Sequence, residues 1–393
     1  MKICGIISEY NPFHSGHEYF IKRAKQSADV VVAVMSGHFV QRGDASVADK
    51  YTRAECALLG GIDLVLELPF PFCSSSAAFF ARAGVDILSM VGANMLAFGS
   101  ESGDTGRLCA LADRLLSASD RETDASEGSA AAHFKGLLDS DAERLSPNDI
   151  LAVEYLAAVR ERGLDMSPLA VLRAGDGFLC ETTGASAYAS ATALRKCMQD
   201  GNMDALSGYM PTACYDGLCR SLSRGEAPAS IRHAERAILG FFRLTPPEAL
   251  SDIAGLGNGL EYRLCECAKK SETLEKMLSL AATKRYPDAT IRRAMIAAML
   301  GVRYADLDSG VAYTTVLGAN ERGRMLLASL RKSGLPILTK ASDIDALCAR
   351  HKENERAIVR QAELSARADA LYSLCLPNVG AADRYIKHDA VIL

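Results

Sequence analysis

Short apolar runs and amphipathic segments alternate along the first half of the chain. Five runs are rich in Val, Ile and Leu: residues 2–8, 30–37, 63–69, 94–100 and 167–173. Uninterrupted apolar runs of this length are typical of strands buried on both faces of a parallel sheet. The segments between them, such as "GHEYFIKRAKQ" and "NDILAVEYLAAVRERG", have apolar residues at helical spacing. This alternation predicts an α/β domain with a doubly wound parallel sheet.

The pattern changes after about residue 198. Five later segments have helical periodicity with little strand-like alternation between them: 227–243, 259–283, 288–301, 321–334 and 354–374. We therefore predict two domains, an α/β domain at 1–198 and a mostly α-helical domain at 199–393. Residues 117–146, rich in Ser, Asp and Glu, are interpreted as an exposed insertion or a helical hairpin within the first domain.

Composition narrows the class of protein. Of the 393 residues, 49% are hydrophobic and 23% are charged, a balance that is ordinary for a globular chain. No run of 18 apolar residues occurs, and Glu9 interrupts the first apolar run too early for a signal peptide, so we expect a cytoplasmic protein. The twelve cysteines include no C-x-x-C pair, which favours reduced thiols over a zinc site or a disulfide framework.

Charge is distributed unevenly between the two halves. Residues 1–200 carry 18 Lys and Arg against 26 Asp and Glu, a net charge of −8, whereas residues 201–393 carry 26 against 22, a net charge of +4. Within the basic half, "TKRYPDATIRR" brings four basic residues close together: Lys284, Arg285, Arg292 and Arg293. They are candidates for binding RNA phosphates, and an exposed helical face is the structural alternative.

Candidate chemistry concentrates in the first strand-to-helix turn, "SEYNPFHSGHEYF". In a doubly wound sheet, ligands bind at the carboxyl ends of the strands, where the N-terminus of the following helix also points. His14 and His17 share one face of that helix, and Gly16 lets a phosphate or an adenine approach the backbone. Two imidazole donors suit the oxygens of a triphosphate. We predict no metal site, because the segment supplies no third ligand.

Two motifs resemble those of a known superfamily. "NPFHSGH" after a strand resembles the HxGH signature of the nucleotidyltransferase-like superfamily, and "ASATALR" resembles its second signature. Further blocks resemble the bacterial tRNA(Met) cytidine acetate ligases: "GIISEYNPFHSGHEYFI", "AVMSGHFVQRGDASVADKYTRAECALLGGIDLVLELP", "AFGSE", "SPNDILAVEY" and "LRAGDGF". The resemblance covers most of residues 1–200, and it rests in the second half mainly on "TKRYPDATIRRAM" and "LGANERGRMLLASLRK". The chain departs after "VQR", where that family usually has Gly-Glu-Pro and this chain has Gly43, Asp44 and Ala45.

The resemblance implies a fold, an activity and a set of site residues. It implies a nucleotidyltransferase-like (Rossmann-like) first domain and a helical half that binds elongator tRNA(Met). The implied ligase uses ATP, with Mg²⁺ expected, to activate acetate as acetyladenylate, and then acetylates the N4 amine of the wobble cytidine. His14 and His17 would be catalytic. The residues implied in ATP binding are Ile7, Ser8, Glu9, Tyr10, Asn11, Pro12, Phe13, His14, Ser15, Gly16, His17, Glu18, Tyr19, Phe20, Gly99, Asn148, Arg173, Ser190, Thr192 and Arg195.

Several alternatives stay open on the residues alone. A small-molecule adenylyltransferase or cofactor-pathway acid ligase would use the same histidines, and a nonenzymatic RNA-binding protein could hold a regulatory nucleotide. Gly99 could simply end a strand, Asn148 could cap a helix, and Arg173 could form a surface ion pair. The segment "SGHFVQRGDAS", residues 36–46, is either a lid over the site or a solvated loop.

Overall fold

A computed structural model of the chain describes residues 1–117, 145–173, 188–340, 343–385 and 388–393. Nearly all of the insertion predicted at 117–146, and most of "LRAGDGF", lie outside the described residues. The strands of the described part are β1 (Ile3–Ser8), β2 (Val30–Ser36), β3 (Phe39–Val40), β4 (Asp44–Ala45), β5 (Leu64–Leu68), β6 (Met95–Ser100), β7 (Ser167–Leu172), β8 (Thr314–Ala319), β9 (Ile337–Leu338) and β10 (Val391–Ile392).

Helices alternate with the strands in the first half and make up most of the second half. In chain order they are α1 (Ser15–Lys25), α2 (Lys50–Leu59), α3 (Ala77–Met90), α4 (Thr105–Ser117), α5 (Pro147–Glu161), α6 (Ala191–Gln199), α7 (Thr212–Ser223), α8 (Glu235–Leu244), α9 (Leu260–Lys269), α10 (Leu274–Ala281), α11 (Asp288–Leu300), α12 (Tyr304–Asp308), α13 (Glu321–Leu330), α14 (Ile344–Arg350) and α15 (Glu355–Leu374). Within the described ranges, none of them is long and apolar enough to cross a membrane.

The main sheet has the strand order β10-β8-β5-β2-β1-β6-β7, with β9 beside β8. The five strands predicted from the sequence are β1, β2, β5, β6 and β7, and all pairs among them are parallel. The chain runs outward from β1 through β2 to β5, and then returns to place β6 and β7 on the other side of β1. The predicted doubly wound parallel sheet is therefore confirmed.

Close helix–sheet packing positions the carboxyl end of β1. Gly5 in β1 faces the Leu88 side chain of α3, and a Cβ on Gly84 of α3 would lie 2.6 Å from Cδ1 of Ile7. Side chains at the two glycines would force α3 away from the strand. Arg53, which is fully buried, donates to the backbone carbonyls of Glu9 and Ser36 and so joins the ends of β1 and β2.

The second half is mainly helical, as predicted, but it also completes the sheet. β8 pairs antiparallel with β5, and β10 and β9 pair parallel with β8. The β-branched run "TTVLG" forms this strand because its side chains are largely buried against the first half. One hydrophobic cluster extends from Ile3 to Tyr385. The boundary at residues 198/199 remains a prediction, and both of its parts contribute strands to the same sheet.

Candidate active site

A cavity lined by residues of both sequence motifs lies where the strand order reverses, between β1 and β6. The carboxyl ends of β1, β6 and β7 open there into a cavity of about 220 Å³. Doubly wound sheets bind ligands at this switch point, because the diverging connections on its two sides leave a crevice. α1 begins at the cavity with Ser15, so its N-terminal N–H groups lie at the same edge.

His14 and His17 form a stacked pair at the start of α1. Their ring centroids are 3.8 Å apart at an interplanar angle of 29°. Nδ1 of His14 accepts the N–H of Gly16 at 3.1 Å, and Nδ1 of His17 accepts the N–H of His14 at 3.3 Å. A neutral imidazole whose Nδ1 accepts carries its proton on Nε2. These two hydrogen bonds thus assign the Nε2–H tautomer to both histidines, and both Nε2–H groups stay available as donors.

Both histidines are neutral at physiological pH. Burial, together with the charges of Arg173 and Arg195, lowers the pKa of His14 to about 3. Burial also holds the pKa of His17 well below its ordinary value, with added contributions from His14 and Arg173. Neutral rings keep the donor geometry that the helix cap imposes.

The cavity is electropositive. Arg42, Arg173 and Arg195 line it, and Glu9 is the one carboxylate among its described lining residues. Nη1 of Arg195 donates to the carbonyl of Asn11 at 2.7 Å, which connects the two sequence motifs in space. Even with Glu101 at 3.7 Å from Arg173, the three cations outnumber the nearby carboxylates Glu9 and Glu101, and such a concave site attracts a polyanion such as a triphosphate.

Most of the predicted ATP-binding residues meet around this cavity. Those that line it are Ile7, Ser8, Glu9, Tyr10, Asn11, His14, Gly16, His17, Tyr19, Phe20, Gly99, Asn148, Arg173, Thr192 and Arg195. Pro12, Phe13, Ser15, Glu18 and Ser190 do not line it. The ring of Phe13 packs instead against Gly60, and Glu18 forms a surface ion pair with Lys22.

Three predicted residues have local roles that the sequence left open. Ser146, not Asn148, caps α5, because its Oγ accepts the N–H of Asp149; the Asn148 amide donates to Glu101. Arg173 forms the ion pair that was the alternative to phosphate binding, also with Glu101, at 3.7 Å, and still lines the cavity. Ser190 caps α6 by accepting the N–H of Ala193 at 3.0 Å, so it acts through the position of that helix.

The segment predicted as a lid or a solvated loop is a packed hairpin. β3 and β4 pair antiparallel, with Phe39 and Ala45 buried. At the tip, Gln41 and Arg42 line the cavity, and the N–H of Gln41 donates to Oε1 of Glu9 at 2.9 Å. Buried side chains on a paired hairpin exclude the solvated loop.

Several apolar or aromatic lining residues outside the first strand-to-helix turn were not singled out from the sequence. They include Phe80 of α3, Phe98 of β6, Leu151 and Tyr155 of α5, and Tyr188 before α6. Each lies in a segment whose apolar character predicts ordinary core packing. Only the carboxyl-end position of Phe98, next to Gly99, carried a signal that could have identified it.

The four basic residues of "TKRYPDATIRR" separate into two pairs. Lys284 and Arg285 are exposed, before α11 begins. Arg292 and Arg293 of α11 face the hairpin instead. Nη1 of Arg293 donates to the carbonyl of Gln41 at 3.1 Å, and Nη1 of Arg292 lies 3.9 Å from Oδ2 of Asp44. The structure therefore brings these two side chains to the hairpin of the cavity and not to an open helical face.

Comparison with known proteins places this fold and site in a family. The chain matches the HIGH Nucleotidyl Transferase family over residues 1–385. A tRNA(Met) cytidine acetate ligase of Syntrophomonas wolfei is 33% identical over 402 residues, with 96% of each chain covered. One of Acetivibrio thermocellus is 32% identical over 405 residues, again with 96% of each covered. A crystal structure of Thermotoga maritima TmcAL bound with alpha-thio ATP superimposes with a TM-score of 0.88 and 30% identity, covering 100% of both chains.

The parallel sheet and the histidine pair at its switch point define a nucleotidyl transferase of the HIGH class. Identity above 30% over nearly the full length of the relatives identifies the family within this class. The chain belongs to the tRNA(Met) cytidine acetate ligase family.

Proposed function

We propose that this chain is an ATP-dependent ligase that acetylates the N4 amine of the wobble cytidine in elongator tRNA(Met). One observation carries the proposal: two neutral histidines aim donors, and three arginines add positive charge, at the switch point of a doubly wound sheet. Such a site is suited to hold a triphosphate and to stabilise charge that develops on it. We infer the acyl acceptor, a cytidine of tRNA(Met), from the name of the family to which the chain belongs.

The first step forms acetyladenylate. A carboxylate oxygen of acetate attacks the α-phosphorus of ATP, the bond from that phosphorus to the bridging oxygen breaks, and pyrophosphate leaves with the electron pair. The Nε2–H groups of His14 and His17 donate to phosphate oxygens as they gain charge. Arg42 and Arg195 lie close enough to share Oγ1 of Thr192, and their charges stabilise the departing pyrophosphate.

The second step transfers the acetyl group. The N4 amine of cytidine attacks the carbonyl carbon of the mixed anhydride, AMP leaves, and the nitrogen loses a proton. The anhydride is labile, so water must be kept from it. The hairpin tip, Gln41 and Arg42, covers one side of the cavity and is held by Glu9. We assign it this protective role.

Mg²⁺ fits this site only as a partner of the nucleotide. In the described part of the chain no three His, Cys, Asp or Glu side chains form a cluster that could hold a metal ion. Glu9 is the carboxylate that the described cavity lining offers. An ion held chiefly by phosphate oxygens and water, with Glu9 nearby, is a common arrangement for Mg²⁺. When bound, it would neutralise phosphate charge.

The basic second half is the proposed RNA-binding region. A tRNA extends far beyond one cavity, and bases in an anticodon loop can be splayed out and recognised singly. Lys284 and Arg285 are exposed, directly before the helix whose Arg293 contacts the hairpin. RNA bound there would lie beside the element that lines the nucleotide cavity. A cytoplasmic location is part of this proposal, because the substrate tRNA is found there.

Reconstitution tests the proposal. Purified protein, ATP, labelled acetate and a tRNA(Met) transcript should yield N4-acetylcytidine, detected by mass spectrometry of the digested tRNA, and a His17→Asn variant should not. Pyrophosphate release without RNA acetylation would instead identify a small-molecule acid ligase. RNA binding without ATP turnover would identify a nonenzymatic binding protein.

A further inference from the structure

A second, smaller cavity lies between the N-terminus of α3 and the first turns of α11. Its volume is about 50 Å³, and it shares no lining residue with the nucleotide cavity. Ser74, Ser76 and Phe79 line it from one side, and Thr290 and Arg293 line it from the other. No Asp or Glu is among its described lining residues.

Arg293 brings a positive charge to this cavity without a matching carboxylate. Its Nη1 donates to the carbonyl of Gln41 at 3.1 Å, and its Nη2 donates to Oγ1 of Thr290 at 3.2 Å. Both acceptors are neutral, and no ion pair of Arg293 occurs within the described residues. Burial lowers the pKa of this guanidinium to about 10, with no carboxylate opposing the effect. Arg293 is half-buried, and a charge partly withdrawn from water is normally paired, because an uncompensated one is costly.

Hydroxyl and helix donors face the same cavity. Ser74 is 9% exposed, and its buried Oγ has no hydrogen-bond partner in the described part of the chain. Ser76 is the N-cap of α3, yet its side chain makes no capping hydrogen bond, in contrast to Ser146 and Ser190 at the starts of α5 and α6. The first N–H groups of a 14-residue helix therefore lack side-chain capping at this cavity.

We propose that this cavity binds one phosphate-type oxyanion, held by Arg293, by Oγ of Ser74 and by the N-terminus of α3. The volume admits about four waters, or one tetrahedral oxyanion in their place. A single guanidinium with a helix N-terminus matches a charge between −1 and −2. The oxyanion is inorganic phosphate or a backbone phosphate of RNA. Binding of an RNA phosphate rests on the proposed function, whereas binding of inorganic phosphate does not.

The site also bears on the nucleotide cavity. The guanidinium that would bind the oxyanion is the one that donates to the carbonyl of Gln41, and Gln41 lines the nucleotide cavity. Bound oxyanion fixes Arg293 and with it the hairpin tip.

Thermal unfolding with added inorganic phosphate tests the site, with NaCl used to hold the ionic strength constant. Phosphate at ten times its dissociation constant should raise the Tm of the full chain by about 2 °C. Arg293→Met should reduce the rise, because only the nucleotide cavity then remains to bind phosphate, and Ser74→Ala should weaken it. Arg195→Met changes the nucleotide cavity, and this variant should still show a Tm rise with phosphate. The double variant Arg195→Met/Arg293→Met should show none. An equal rise in all variants would overturn the proposal.

Ser74→Ala gives a second measurement that does not depend on phosphate. Because it removes a buried hydroxyl that has no partner, the phosphate-free Tm should be unchanged or higher. A lower phosphate-free Tm would show that the hydroxyl is already satisfied by the protein, and the proposal would fail.

The source of the oxyanion follows from tRNA titrations at several salt concentrations. If an RNA phosphate occupies the cavity, Arg293→Met should reduce the magnitude of the slope of log K against log salt by ~0.7 to 0.9. An unchanged slope together with the phosphate-dependent Tm rise assigns the site to free phosphate. Absence of both effects refutes the site, whereas failure of the proposed function would be seen separately, as absent N4-acetylcytidine.

Discussion

The guanidinium groups of Arg42 and Arg195 converge on one acceptor, Oγ1 of Thr192, at 3.5 and 3.1 Å. Arg42 comes from the hairpin and Arg195 from α6, so like charges from two elements meet at the cavity. Burial lowers the pKa of Arg195, and the charge of Arg42 lowers it further. This repulsion is relieved when an anion binds between them.

Replacing Arg42 by Gln should weaken ATP binding without destabilising the nucleotide-free protein. Without nucleotide, the Tm should stay the same or rise, because one of two neighbouring cations is removed. The KM for ATP should increase about 10- to 100-fold, the range for loss of a hydrogen bond to a charged group. Thermal unfolding and pyrophosphate-release kinetics measure the two effects. A destabilised protein with an unchanged KM would assign Arg42 a structural role.

The histidine pair should be essential for adenylation. His14→Asn keeps a residue that can cap α1, and His17→Asn removes the second donor. Loss of either Nε2–H donor should reduce acetyladenylate formation by ~100- to 1,000-fold. Lys22→Ala, on the exposed face of the same helix, is the matched control and should retain the wild-type rate. Wild-type turnover in either histidine variant would contradict the assignment.

Acid should destabilise the ligand-free protein through the same pair. In the folded chain the pKa of His14 is about 3, below its ordinary value of 6.5, so the unfolded chain binds more protons between these pH values. The stability contribution is therefore complete above pH 6.5 and is lost as the pH falls towards 3. Its slope is at most about 1.4 kcal/mol per pH unit for each histidine. Urea unfolding at pH 7, 6 and 5 should show a shallower dependence for His14→Asn than for wild type, and parallel curves would refute the pKa assignment.

Lys284 and Arg285 should contribute to tRNA affinity and not to ATP affinity. Replacing both by Ala removes up to two phosphate contacts, which lowers the magnitude of the log K against log salt slope by ~1.4 to 1.8 in total. The double variant Lys269→Ala/Lys270→Ala, at the exposed C-terminal end of α9, tests whether the loss of any two positive charges lowers the slope equally. Equal losses in the two double variants would mean that the effect is not specific to residues 284 and 285.

The sequence predicted the parts of the fold in which local pattern and tertiary position agree. β1, β2, β5 and most of β6 are buried, so each appears as an apolar run between helices. The expectation of burial on both faces is wrong for β7, because it is an edge strand and most of its residues are exposed or half-buried. β8 was missed because the six residues of "TTVLGA" lie between long helical segments and pair antiparallel with a strand about 250 residues earlier. Nothing local indicates such a partner.

The site residues likewise divide into those that the local sequence indicates and those that depend on distant parts of the chain. The histidine pair was predictable because a strand, a Gly and a helix start are adjacent in sequence. The inward position of Arg293 was not, because its exposure depends on the hairpin, which packs against α11 from a distant part of the chain. One signal was present: Thr290, Ala294 and Ala297 lie within one turn of Arg293 and form an apolar or small surface typical of a buried face.

The antiparallel pairing of β8 with β5 has a consequence for synthesis of the protein. On the ribosome, β5 emerges roughly 250 residues before β8, an interval of roughly 12 to 50 seconds at ordinary elongation rates. During that time the growing polypeptide presents β5 as an open strand edge, a known starting point for aggregation. A polypeptide that ended before Thr314 would lack the strand that covers this edge, so the β5 edge stays open until β8 has been synthesised.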